Sequence, residues 1–208
     1  MSGFFFVAHD DRGTPLLHPD VARLGLGAAV IAELLMAGYV DIRNDTVVVE
    51  TFGCPAEPVA ATLMSRLLDE RNAMPVRDWL AYLRDPGQPD GDIYDQVAQQ
   101  MRRTGLIRAE RAWSLRRSKL YPPVDQNRAA WSWARISGCL DRRENLGKKD
   151  TVLGGLILAT DLHSRILLGS ASSLESKLRH HISAAPEAVR ELLRHAENAV
   201  SAAVSTVA

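Results

Sequence analysis

Cysteine is nearly absent from this chain of 208 residues: Cys54 and Cys139 are the whole complement. They lie far apart and match no metal-ligand spacing. So few thiols point to a reducing compartment, with room for one disulfide at most. Long apolar runs are missing too, and the longest, residues 152–160, is about half of what crosses a bilayer. There is no net charge, since 25 Lys and Arg balance 25 Asp and Glu. A neutral chain is a poor general polyanion binder, so any anion site must be local. The opening MSGFFFVAHDDRG lacks a basic n-region and turns polar after eight residues, unlike a signal peptide. Motifs with built-in chemistry are lacking as well. There is no phosphate-cradling glycine loop with Lys-Ser/Thr, no nucleophile elbow and no metalloprotease helix signature. These absences lead us to expect a soluble, cytoplasmic, non-catalytic protein without cofactor or metal, meeting a membrane only peripherally.

What is present is ordinary globular material in a length that suits one core. Residues 4–8, FFFVA, read as a short buried strand and residues 10–13 as the turn after it. His18-Pro19-Asp20 opens a helix with Pro19 in its first turn, and Leu24, Ala28, Ile31, Leu34 and Leu35 recur at helical spacing up to Gly38. Residues 40–42 and 47–49 flank Asn44-Asp45 as a hairpin. Helices follow at 59–68, 76–83 and 93–104, the last closed by Gly105. After Pro122-Pro123 the pattern is helical at 125–139, 151–167, 172–184 and 186–206. The expected fold is mainly α: a single compact helical domain, residues 1–208, with small β-hairpins.

Several constellations are better explained by packing than by chemistry. Gly25-Leu26-Gly27 resembles part of a dinucleotide fingerprint, but it lacks the third glycine and lies within a helix. His180-His181 has no third ligand at metal spacing. Asp161 and His163, two apart on a helix, point to different faces. Trp131 and Trp133 are similarly two apart, so one belongs to the core and the other is partly exposed.

The segment 102–119 stands out. It holds seven basic residues (Arg102, Arg103, Arg108, Arg111, Arg116, Arg117 and Lys119) and one acid, Glu110, a local balance of +6 in a neutral chain. Trp113 sits among the charges, with Leu115 two residues on. A helix ends at Gly105 and two short apolar strands follow, which makes a basic hairpin carrying an aromatic. Each Lys or Arg near an acidic bilayer contributes about 1 kcal/mol, and a tryptophan settles at headgroup depth. The same order of helix, Gly-Leu-Ile and basic wing also suits a winged-helix DNA-binding regulator. Against that, the helix DIYDQVAQQM offers aspartates where phosphate contacts would be wanted. A protein-interaction scaffold with a merely solvated charge run is the third reading.

Several segments together resemble the Golgi phosphoprotein 3 family, in particular its bacterial, actinobacterial-like members. They are the run from Phe4 to Gly13, Gly25-Leu26-Gly27 leading to Ala32-Glu33-Leu34-Leu35-Met36-Ala37-Gly38, and the hairpin of residues 39–49. Trp79 in its short helix, Thr104-Gly105-Leu106-Ile107 with Tyr121-Pro122, and Asp150-Thr151 with Leu156-Ile157-Leu158-Ala159 complete the set. The resemblance implies a mainly helical domain that binds phosphatidylinositol 4-phosphate, helps retain client proteins and self-associates or meets the membrane through residues 106–122. It places the family's headgroup Trp and Arg on His18 and Gly27, and two further arginines on Gly91 and Tyr94, so none of the four carries over. The headgroup residues expected here are therefore His18 and Tyr94 with nearby Arg23, Arg102 and Arg103. The membrane-contact hairpin is Arg108, Arg111, Trp113, Leu115, Arg116, Arg117 and Lys119. Expected partners are anionic, phosphoinositide-like phospholipid, client proteins and a second copy of the chain, but not nucleic acid.

Overall fold

The computed structural model describes residues 1–70, 72–108, 110–111, 119–166 and 171–205, with backbone alone at 110, 111 and 171–173. Among these residues lie ten helices and two two-stranded antiparallel sheets, the mainly α class expected. Residues 4–8 are not a strand: helix α1 (Ser2–Val7) takes their place. A strand would send neighbouring side chains to opposite faces. Here Phe4 and Phe5 are both buried, which a helical backbone permits by setting them about 100° apart.

Helix α2 (Pro19–Met36) is buried at 12 of its 18 residues, as a helix apolar on nearly every side must be. Gly25 is where α1 rests on it: a Cβ there would stand 2.2 Å from Cζ of the Phe4 ring. That contact accounts for the Gly25-Leu26-Gly27 sequence as helix packing. The helix ends at Gly38, φ 75°, where the N–H groups of Gly38 and Tyr39 close back on Leu35 and Leu34. Strands β1 (Val40–Arg43) and β2 (Thr46–Val49) then pair around Asn44 and Asp45, both at positive φ as a two-residue hairpin turn requires.

Helices α3 (Pro58–Asp69), α4 (Val76–Arg84) and α5 (Ile93–Arg103) pack against α2. Gly105 closes α5, and a second hairpin follows, β3 (Glu110–Arg111) with β4 (Lys119–Leu120). Its paired residues are mostly charged rather than apolar. The chain continues as α6 (Gln126–Asp141) and α7 (Lys148–Ala159). The single helix expected over 151–167 is two pieces, because α7 stops and α8 (His163–Ile166) begins after a reversal. Asp161 takes φ 53° there, in the place a glycine usually holds, and Leu162 is fully buried by the turn. Left-handed backbone at a non-glycine costs about 1–2 kcal/mol, which burial of one leucine offsets.

Helices α9 (Ala171–Ser183) and α10 (Glu187–Ser205) close the structure, with α10 lying on α2, α4 and α7. One contiguous core joins elements from both ends of the chain. Cys54 and Cys139 are both free, so the disulfide for which the sequence left room is not formed.

Candidate functional site

The site begins with the turn after α1. Asp10 accepts the N–H groups of Arg12 and Thr14 at 2.9 and 2.7 Å, and Leu16 N–H returns to Ala8 O. The loop is thus tied to itself by its own aspartate. Gly13, φ 79°, lies against the strand that returns from the second hairpin. Its carbonyl accepts Tyr121 N–H at 3.0 Å, and a Cβ on Gly13 would stand 2.2 Å from the Tyr121 carbonyl carbon. The turn is therefore a footing for the hairpin.

Four rings fill the space beneath. Phe5 stacks on His9 at 4.2 Å, and Tyr94 and Tyr121 meet both at 5.6–5.9 Å between centroids. His9 Nδ1 lies 2.6 Å from Phe5 O and its Nε2 lies 2.5 Å from the Tyr94 hydroxyl. A carbonyl can only accept, so Nδ1 carries the proton and Nε2 accepts from Tyr94. Burial holds the His9 pKa below its ordinary 6.5, against the smaller pull of the Phe5 carbonyl. Burial likewise raises both tyrosines, Tyr121 to about 12, helped by the charges of Asp95 and Asp92.

The sign of the His9 effect is testable. Its neutral form is favoured by folding, so the unfolded chain takes up the proton first as pH falls. Stability is therefore expected to be full above pH 6.5 and to decline as pH drops from 6.5 toward the lowered folded value. Urea unfolding at stepped pH should show this decline in the native protein and a flatter profile in His9→Gln. Equal slopes in the two would show that His9 is not the group responsible.

Around the rings the charges are matched. Asp92 caps α5 through Tyr94 N–H and takes a bidentate contact from Arg23, with Nε at 3.0 Å and Nη2 at 2.8 Å. Arg23 also reaches Asp20 at 3.0 Å. Lys119 meets Asp95 at 2.9 Å, and Arg66 with Tyr82 holds Asp90. Burial disfavours the Asp92 charge, but Arg23 and Tyr94 N–H outweigh it and keep the carboxyl below its usual range.

These contacts redistribute the expected site residues. His18 is exposed and caps α2, its Nδ1 3.4 Å from Asp20 N. Arg23 is held by two aspartates, and Tyr94 is buried with its hydroxyl engaged. Arg102, Arg103 and Arg108 are exposed and, among the described residues, form no ion pair. Arg111 lies opposite Lys119 in the hairpin register. Trp113, Leu115, Arg116 and Arg117 lie outside the described residues. An open groove of about 690 Å³ brings together Arg102, Lys119, Tyr121 and the acids Asp90, Asp92 and Asp95. His18, Arg23, Tyr94 and Arg103 do not line it.

Of the other positions that the resemblance marks for a headgroup, Gly27 is buried with its Cβ position 3.0 Å from Leu83, and Gly91 sits in the loop before α5 at φ 84°. A side chain at Gly27 would have to move Leu83, and one at Gly91 would have open space but a strained left-handed backbone. The sequence reading missed His9, Asp92, Asp95 and Tyr121, the residues that shape this face. The signal available was the pairing of HDDRG with DGDIYD, two aspartate-rich turns before helices, but no spacing rule links segments about 80 residues apart. The carboxylate of Asp161, expected to point away from His163, instead comes within 3.6 Å of its Nε2, because the helix breaks between them. No group of three metal-binding side chains occurs among the described residues, and none of their helices is long and apolar enough to cross a membrane.

The family model described as Golgi phosphoprotein 3 (GPP34) matches residues 1–205 of the chain. No curated protein matches it.

Proposed function

The chain belongs to the Golgi phosphoprotein 3 family, and from that premise we propose that it is a non-catalytic domain that attaches peripherally to anionic lipid through its basic hairpin. The observation that carries this reading is the +6 balance of residues 102–119 in a chain of zero net charge, running from the last turn of α5 into a hairpin whose returning strand is anchored by the Tyr121 N–H to Gly13 O. Seven cations within eighteen residues of sequence can act on one anionic surface together, whereas charge scattered over a neutral protein would not.

In this reading the attraction is to surface charge rather than to one headgroup, and the groove beside the hairpin supports it. The groove beside the hairpin carries three carboxylates, and each has a cation of its own. Arg102 is the one lining cation without an ion pair among the described residues, and a phosphate that drew on Lys119 as well would have to displace Asp95. Affinity should therefore follow total anionic charge. Vesicles of phosphatidylglycerol and vesicles bearing phosphatidylinositol 4-phosphate, matched in surface charge, are expected to bind within about threefold of each other. Both should release the protein as salt rises from about 0.05 to 0.5 M, since screening shortens the reach of exposed charges. Co-sedimentation measures both. Tight, salt-resistant binding to the phosphoinositide alone would replace this reading with a specific pocket. A salt-dependent shift of duplex DNA without any vesicle binding would replace it with nucleic-acid binding.

A further inference from the structure

A second surface is suited to the same bilayer. We infer that the outer face of α6 is a membrane-contact face, with Trp131 seated in the headgroup region of an anionic bilayer; this rests on the lipid reading above. Helix α6 runs for 16 residues, yet only Ile136 and Leu140 are buried. Trp131 is 62 % exposed, and Ala130 and Ala134 beside it are exposed as well. Arg128 and Arg135 stand three residues before and four after Trp131, on the same face of the helix.

Charge selects the occupant. Residues 126–140 contain two arginines and no acid, and the exposed Asp141 closes the helix ten residues beyond Trp131. Asp125, just before them, is engaged as the helix cap through the N–H groups of Asn127 and Arg128 at 2.9 and 3.2 Å. Arg135 is paired with Asp150, while Arg128 has no ion pair among the described residues. A tryptophan flanked by arginine, with small apolar neighbours and no carboxylate within one helical turn of it in sequence, is the side-chain set that lies at a lipid–water boundary. The other exposed apolar pair, Phe52 and Leu68, makes the contrast: Glu50, Asp69 and Glu70 surround it in sequence, and an acidic bilayer would repel it.

Position agrees with charge. The strand returning from the basic hairpin leads through Tyr121-Pro122-Pro123 directly into α6, and Val124 N–H is held by Leu106 O at the hairpin base. Val124 is itself 49 % exposed. On its other side the α6 face continues into an apolar cleft of about 240 Å³, where Trp133 and Phe6 line the wall. Asp10 and Asp11 also line that cleft. Both are adverse charges on that side, since the backbone N–H groups that Asp10 accepts leave its carboxylate ionised.

The test uses tryptophan emission in the full chain. Trp113→Phe with Trp133→Phe leaves Trp131 and Trp79, and Trp79 is buried at 4 % exposure, beyond reach of a bilayer. Phosphatidylglycerol vesicles should shift the emission to the blue, and lipids brominated high in the acyl chain should quench it. In the otherwise native chain, Trp131→Ala should weaken vesicle binding about tenfold and Arg128→Gln about fivefold, with far-UV dichroism unchanged. If the protein pellets with vesicles but Trp131 neither shifts nor is quenched, α6 faces water; this inference fails and the hairpin reading stands. No pelleting at all removes both. A blue shift that appears with protein concentration and without vesicles would mean the face meets a second copy, and that too overturns the inference.

Discussion

Replacing Trp113, Arg116 and Arg117 together with alanine is expected to lower affinity for acidic vesicles by about a hundredfold and to leave the unfolding transition where it was. Two arginines near an acidic surface account for about 2 kcal/mol, or roughly thirtyfold, and interfacial burial of the tryptophan supplies the remainder. The expected stability rests on the described core, one contiguous cluster that joins elements from both ends of the chain. Co-sedimentation at low salt gives the affinity, and urea unfolding of the same samples gives the stability. Undiminished pelleting would take the hairpin out of the mechanism. An earlier unfolding midpoint would instead make the segment part of the fold.

The second large effect belongs to Gly13. Gly13→Ala is expected to destabilise the protein by about 3–5 kcal/mol. Three costs fall together: left-handed backbone at an alanine, overpacking, and loss of a hydrogen bond. The overpacking is severe because the atom in the way is Tyr121 backbone, 2.2 Å from the new Cβ, and not the end of a flexible side chain. Gly38→Ala is the internal control. Its φ of 75° is nearly that of Gly13 at 79°, but nothing lies within 4 Å of a Cβ placed there. That change should cost only the backbone part, about 1–2 kcal/mol. Denaturant midpoints of the two variants separate conformational strain from steric exclusion. Equal losses would mean that the contact between the turn and the hairpin strand adds nothing. Because Gly13 supports the hairpin, Gly13→Ala should also weaken vesicle binding at temperatures where it is still folded, and Gly38→Ala should not.

The charged groups divide the site into what could be read from sequence and what could not. The basic run was plain as composition, since charge can be counted without knowing where the side chains go. The fate of individual cations could not be counted. Arg23 is an apparent headgroup candidate until Asp92, 69 residues away, takes it in a bidentate contact. Tyr94 is another until its hydroxyl is found on His9, 85 residues away. Helix boundaries show a similar division. Gly38 and Gly105 mark helix ends visibly because glycine is the residue that left-handed closure favours. Asp161 performs the same closure without any local sign, forced by burial of Leu162.

Local chemistry determined a good deal on its own. Apolar repeats at helical spacing made the chain mainly α, Asn44-Asp45 made the first hairpin, and the charge count made residues 102–119 the segment to test. Tertiary structure alone decided that FFFVA would be helix, because Phe4 and Phe5 must both turn inward, one of them onto Gly25. It alone decided that the aspartates before and within α5 would neutralise the groove beside the hairpin, and that Trp131 rather than Trp133 would face outward. The physical reason is common to all of these. Periodicity and capping act between residues a few positions apart, whereas ion pairing, ring packing and steric exclusion act between residues that only the fold brings into contact.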